Sequence, residues 1–173
     1  MKKIIILISF IIVILCLFKT DTVIIPKEAI RFRVIASSNT EKDQYIKKEI
    51  VKDLQKEIKK LNIIPKSLEI NRAIIKENIP NYKKTINNTL KNLNEEAEYT
   101  IKYGMNYFPK KEYQGVIYEE GEYESLVVEI GDAQGDNFWC VLFPPLCLLE
   151  GEVENKDNIE YTSFIKEIIE KYL

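Results

Sequence analysis

The feature that most constrains the fold is the ten-residue stretch Phe138–Cys147, whose sequence is FWCVLFPPLC. It contains the only tryptophan of the chain and two of its three cysteines. An apolar and aromatic run of this kind predicts a buried β-strand. The two adjacent prolines lack the N–H groups that a sheet ladder needs, so the strand has to end there. The sequence therefore predicts a buried strand that leads into a stiff, extended turn.

Side-chain alternation along this strand predicts which residues share a face. Phe138 and Cys140 are expected on one face. Trp139, Val141 and Phe143 are expected on the other. Packing in a core is the simpler interpretation of the large aromatic side chains.

A second interpretation is that this region contacts a partner. A stiff turn loses little entropy on binding, and aromatic side chains are frequent binding hot spots. The candidate partner-binding residues are Trp139, Phe143, Pro144, Pro145 and Leu146. The two interpretations are compatible if the strand lies inside the domain and the turn at 144–147 lies outside.

Cys140 and Cys147 can form a disulfide that closes an eight-residue loop. Such a bond would stabilise the fold by about 2.5 kcal/mol on the chain-entropy estimate. It requires the two Cα atoms to lie within about 7 Å of each other. The alternative is that both cysteines are reduced and packed in the core as small apolar residues. The sequence leaves both alternatives open.

The amino terminus has the pattern of an export signal. Two lysines at positions 2 and 3 precede the apolar segment 4–18. A helix of this length rises about 22 Å, less than the hydrocarbon core of a bilayer, which favours a signal peptide over a stable span. No small-residue cleavage site follows, so residues 1–25 are interpreted as a signal peptide or as an N-terminal membrane anchor. Residues 26–173 are then expected to form a single exported globular domain.

The remaining pattern predicts an α+β fold. Residues 29–36 alternate with the period of a half-buried strand, and Thr40-x-x-Asp43 or Ser38-x-x-Glu41 resembles a capping box at a helix start. Apolar residues at helical spacing predict two or three helices before residue 99 and a last helix at Thr162–Leu173. Strands are predicted at 99–103 and 125–130. The expected architecture has two layers, with a mixed sheet of about four strands and helices packed mainly on one face.

Composition excludes several classes of function. The chain has no histidine, which rules out a Ser-His-Asp triad, a Cys-His dyad and a zinc site that uses histidine. Three cysteines are too few for a structural zinc site unless carboxylates complete it. We expect no metal site and no cofactor, and we assign no catalytic residue. A net charge of -2 gives no general attraction to nucleic acid.

An acidic cluster leaves one enzymatic alternative. Two of its carboxylates could form a catalytic pair, as in a secreted carboxylate-dependent cell-wall hydrolase. The simpler interpretation is that they are charges facing solvent. The cluster consists of Glu119, Glu120, Glu122, Glu124 and Glu129.

Four motifs lie between residues 30 and 147. They are IRFRVIA at 30–36 with Ser38, Asp43, Gln44, Lys47 and Asp53; Tyr107-Phe108-Pro109 with Tyr113; GEYESL at 121–126 with Ile130-Gly131; and Gly135, Asn137 and the run 139–147. Together they resemble the stage II sporulation protein R family of endospore-forming Firmicutes. The chain departs from the family pattern at Phe138, where tryptophan is usual, and at Glu119-Glu120, where Pro-Ala is usual.

The resemblance implies an exported signalling protein without enzymatic activity. Members of the family are made in the forespore and cross its membrane into the space between forespore and mother cell. There they activate a membrane-embedded sporulation aspartic protease, which processes the precursor of the mother-cell sigma factor E. The implied partner is thus a membrane protein and not a nucleic acid, and residues 4–18 would contact the membrane if they are not cleaved.

Overall fold

The computed structural model describes residues 23–61, 67–113, 116–146 and 165–170. Its helices are α1 (Glu41–Lys60), α2 (Leu68–Glu77) and α3 (Ile79–Asn92), and the helical segment 165–170 is designated α4. Its strands are β1 (Val23–Ile24), β2 (Ile30–Ile35), β3 (Tyr99–Phe108), β4 (Lys111–Tyr113), β5 (Val116–Tyr118), β6 (Gly121–Ile130) and β7 (Asn137–Phe143).

The larger sheet has four strands in the order β3-β6-β2-β7. Strand β2 pairs in parallel with β6 and antiparallel with β7, so the sheet is mixed. The long strands β3 and β6 pair antiparallel from Tyr99 opposite Ile130 to Phe108 opposite Gly121. The predicted α+β class is confirmed. A second sheet, of order β1-β5-β4, was not predicted.

The helices cover one face of the larger sheet. Helix α1 begins after Thr40, whose side chain accepts a hydrogen bond from the backbone N–H of Asp43, which confirms Thr40 as the N-cap. The backbone N–H of Thr40 donates to Ser38 Oγ at 3.2 Å and not to the Asp43 carboxylate, so the reciprocal bond of a capping box is not formed. Apolar residues of α1, α2 and α3 form the main core with one face of the sheet. From the sheet this core includes Ile30, Phe32, Val34, Leu126, Val128, Ile130, Cys140 and Leu142.

Part of the opposite face of the sheet, around β2 and β7, is also covered. A second core joins Val141 of β7 with Val23 and Val116 of the small sheet and with Ile165 and Ile168 of α4. Strand β2 lies between these two cores, and five of its six residues are buried. The strand predicted at 29–36 is confirmed, but the prediction that it is half-buried is wrong, because both faces of β2 are packed.

The alternation predicted for β7 fails at its end. Ile30 pairs with Phe143, whereas its neighbour Arg31 pairs with Val141, so the register shifts by one residue. Phe143 consequently packs in the main core with Leu142 and not on the face of Val141. A bulge of this kind cannot be read from apolar alternation alone.

Three predictions fall wholly or partly outside the described residues. These are the segment 1–25, of which residues 23–25 are described, the cysteine at position 147, and the ends of the last predicted helix around 165–170. Within the described ranges, no helix combines the length and apolarity that crossing a membrane requires.

Candidate functional site

The turn that follows β7 is buried. Phe143 is 2% exposed and Leu146 is 7% exposed, and both prolines at 144 and 145 are buried as well. Leu146 packs in the second core with residues of α4. The two interpretations were compatible only with an exposed turn at 144–147, and residues 144–146 do not meet that condition because they are buried. Partner binding by the four residues at 143–146 stays a prediction. It was based on an exposed turn, and these residues are buried.

Cys140 is disulfide-bonded and 5% exposed. It lies on the helix-facing side of β7, opposite Phe32 of β2. The other two cysteines of the chain, Cys16 and Cys147, lie outside the described residues. The pairing of Cys140 with Cys147 stays a prediction.

Trp139 belongs to an aromatic cluster built from both sheets. Its ring centre lies 5.2 Å from that of Phe108 at the end of β3, in an edge-to-face arrangement. It lies 6.5 Å from the ring centre of Tyr118 on β5. Phe108 in turn lies 6.2 Å from Tyr123 of β6. Such edge-to-face contacts add to the stability gained from burial, and they hold Trp139 in a half-buried position.

Three cations lie against these rings. The guanidinium carbon of Arg31 is 3.4 Å from the centre of the Tyr123 ring. That of Arg33 is 5.7 Å from the Trp139 ring, and Nζ of Lys111 is 5.1 Å from the same ring. Arg31 and Arg33 are two residues apart on β2, so they point to the same face of the sheet. We call this set the cationic-aromatic face; it consists of Arg31, Arg33, Phe108, Lys111, Tyr118, Tyr123 and Trp139.

The two arginines are held in an environment that disfavours their charge. Arg31 is only 1% exposed, and burial lowers the pKa of its guanidinium. Burial also lowers the pKa of Arg33, while the nearby Glu129 carboxylate acts in the opposite direction. Removing a cation from water is expensive unless an anion or hydrogen-bond acceptor compensates.

A loop junction beside this face fixes the ends of β2 and β6. The backbone N–H of Gly135 donates to the carbonyl of Ala36 at 2.9 Å. A Cβ at Gly135 would lie 2.3 Å from the carbonyl oxygen of Ser38, so no other residue fits without a shift. Nζ of Lys47 donates to the carbonyl of Asp136 at 2.9 Å, which ties α1 to the same loop. The motif residues of this region thus serve to hold two loops together.

Some carboxylates of the acidic cluster are paired with cations. Glu124 accepts two hydrogen bonds from Arg72, at 2.6 and 2.7 Å, and these lower its pKa. Glu129 accepts one from Lys102 at 2.6 Å, which lowers its pKa as well. A glycosidase acid needs a raised pKa, so neither carboxyl has the required property. Among the described residues, no three side chains of cysteine, aspartate or glutamate lie close enough together to hold a metal ion.

Comparison with known proteins identifies the family. The sequence model described as stage II sporulation protein R matches residues 26–153, which is most of the chain. The chain belongs to the stage II sporulation protein R family. A curated relative, the stage II sporulation protein R of Bacillus subtilis strain 168, is 34% identical over 132 residues. That alignment covers 76% of this chain and 59% of the relative, so the chain spans less than two thirds of the relative's length. No solved structure matches.

Family membership confirms the resemblance drawn from the four motifs, and the structure shows where those motifs meet. Each motif contributes at least one residue to the cationic-aromatic face, namely Arg31 and Arg33, Phe108, Tyr123, and Trp139. Of these, Trp139 alone is a candidate site residue on the sequence. The available signal was the recurrence of arginine and aromatic residues in motifs that are distant in sequence.

Proposed function

We propose that this chain is an exported sporulation signal that activates a membrane-embedded aspartic protease, which then processes the precursor of the mother-cell sigma factor E. The observation that carries the proposal is the family match over residues 26–153, which includes strands β2 to β7 and helices α1 to α3. Export is proposed from the lysines at positions 2 and 3 and the apolar segment 4–18, the pattern of a secretion signal.

The proposed mechanism is recognition rather than chemistry. The folded domain binds the exposed region of the protease and has higher affinity for its active state than for its inactive state. A ligand shifts such an equilibrium only by this difference in affinity. The ion pairs of Glu124 and Glu129 favour this proposal over the hydrolase alternative, because they occupy two of the three carboxylates of the acidic cluster that lie on β6.

Co-expression tests the proposal. The full chain is produced in a non-sporulating host together with the candidate protease and the sigma factor precursor, and processing is followed by immunoblot. Processing above the level of a control without this chain supports the proposal, and processing at the control level contradicts it. A parallel variant that combines Glu119→Gln, Glu120→Gln and Glu122→Gln should retain full processing, whereas the hydrolase alternative predicts its loss.

A further inference from the structure

Buried hydrogen-bond donors without acceptors are concentrated on the cationic-aromatic face. Within the described ranges, Nε, Nη1 and Nη2 of Arg31, Nε of Arg33 and Nε1 of Trp139 are all buried and unpaired. Arg33 and Trp139 are register partners across β2 and β7, and Arg31 lies two residues away along the strand. A buried donor that lacks an acceptor is unfavourable, and most so when it is charged. These donors therefore form one coherent unsatisfied group.

Among the residues that the structure describes, no ion pair joins a carboxylate to Arg31 or Arg33. Glu129 is the carboxylate that acts electrostatically on Arg33. Its Oε2 is already bound by Nζ of Lys102 at 2.6 Å and by the Thr100 hydroxyl at 3.0 Å. Lys111 adds a further positive charge beside Trp139. The face thus presents cations and N–H donors. An anion with several acceptor oxygens is complementary to it.

We propose that the cationic-aromatic face binds a carboxylate carried by a peptide segment of a partner protein. A guanidinium presents a planar fork of donors that matches the two oxygens of a carboxylate. The rings of Phe108 and Trp139 provide apolar contacts for the residues beside that carboxylate. Identifying the partner as the exposed region of the protease rests on the function proposed above, whereas binding itself does not.

The residues of the face differ in exposure. Lys111 is exposed, Arg33 and Trp139 are half-buried, and Arg31 is 1% exposed. A carboxylate can therefore reach Lys111 and Arg33 more readily than Arg31. The net charge of -2 for the whole chain provides no broad positive field for an anionic membrane, which favours a single local carboxylate as the occupant.

The single tryptophan makes the site directly observable, because Trp139 is the only source of tryptophan fluorescence in the chain. The full chain is titrated with a capped leucine-glutamate-leucine peptide and with its leucine-glutamine-leucine counterpart. The glutamate peptide should change Trp139 emission and bind about tenfold or more tightly than the glutamine peptide, the effect of a charged hydrogen bond. Equal binding of the two peptides, or no change in emission with either, would overturn the proposal.

Two variants assign binding to the arginines. Arg33→Gln, at a half-buried position, should lower the affinity for the glutamate peptide about tenfold. Lys76→Gln is the matched control, because Nζ of Lys76 also lies over a ring, 5.1 Å from Tyr103 at the edge of the main core. Equal affinities of the Arg33→Gln and Lys76→Gln proteins would contradict the assignment. Arg33→Gln is decisive even if substitutions at the fully buried Arg31 prevent folding.

Other sources of an anion are tested in the same titration. Inorganic phosphate should displace the glutamate peptide poorly, and vesicles of anionic phospholipid should not displace it. Efficient displacement by either would overturn the assignment to a peptide carboxylate. The outcome is independent of the co-expression experiment: processing without peptide binding refutes this inference alone, and peptide binding without processing refutes the proposed function alone.

Discussion

The guanidinium of Arg31 lies against the Tyr123 ring, with its central carbon 3.4 Å from the ring centre. A desolvated contact of this kind contributes about 2 kcal/mol. Burying an ion without a counter-charge costs several kcal/mol, so the contact offsets only part of the cost. Burial of Arg31 therefore lowers the stability of the fold. This is expected of a residue that serves binding.

We predict that Arg31→Met raises the free energy of unfolding by about 1–3 kcal/mol, because methionine fills much of the same space without a buried charge. Urea denaturation of the wild-type and variant chains measures the difference. Arg31→Ala is the control for volume and should be less stable than Arg31→Met, since it leaves a cavity among the rings. A large loss of stability in Arg31→Met would show that the arginine supports the fold.

Glu124→Gln should lower the free energy of unfolding by about 1–2 kcal/mol. The substitution removes the charge that accepts two hydrogen bonds from Arg72 and one from the Tyr103 hydroxyl at 2.9 Å. The magnitude allows for partial solvent screening, because the Arg72 side chain is 33% exposed. Glu122→Gln, two residues earlier on the same strand and exposed, should change stability little. Equal effects in the two variants would contradict a structural role for the Arg72 pair.

The same ion pair predicts a dependence of stability on pH. The hydrogen bonds from Arg72 lower the pKa of Glu124 in the folded state. A group with a lowered pKa contributes stability above its unfolded value, which is about 4.3, and loses that contribution as the pH falls through the folded pKa. The stability difference between wild type and Glu124→Gln should thus be constant near neutral pH and shrink in acid. A difference that grows as the pH falls would contradict this sign.

Gly135→Ala should destabilise the chain by about 1–3 kcal/mol through overpacking. The added Cβ would lie 2.3 Å from the Ser38 carbonyl oxygen and 2.9 Å from the Ala36 Cβ, so the two loops would have to separate. Thermal unfolding followed by circular dichroism measures the effect. Asp132→Ala in the same loop is the control, because the side chain of Asp132 is exposed. An unchanged midpoint of thermal unfolding for Gly135→Ala would contradict the prediction, because it would show that the two loops can separate at little cost.

Local signals were sufficient to predict the helical part of the fold. The cap at Thr40 and the apolar spacing that follows specify the start and buried face of α1. The small sheet escaped prediction because β1 has two residues and β4 and β5 have three, too few for an alternating pattern to appear.

The candidate site was harder to predict because its contacts are between residues that are distant in sequence. Arginine at alternate positions of a strand ordinarily indicates a solvent-facing side. At Arg31 this inference fails, since Tyr118 of the small sheet and Tyr123 of the large sheet both approach its guanidinium. The contacts join residues that are about ninety positions apart, and no local pattern encodes them. Trp139 could be singled out because an aromatic residue in a strand is informative by itself.

The measurement that tests the central claim most directly is the processed fraction of the sigma factor precursor in the co-expression host. Wild-type chain and the Lys76→Gln control should raise this fraction equally above the control without the chain. Arg33→Gln should be secreted and folded to the same extent yet raise it much less, because it weakens the proposed carboxylate contact. If wild-type chain leaves the processed fraction at the control level, the account of this protein as a protease-activating signal is contradicted.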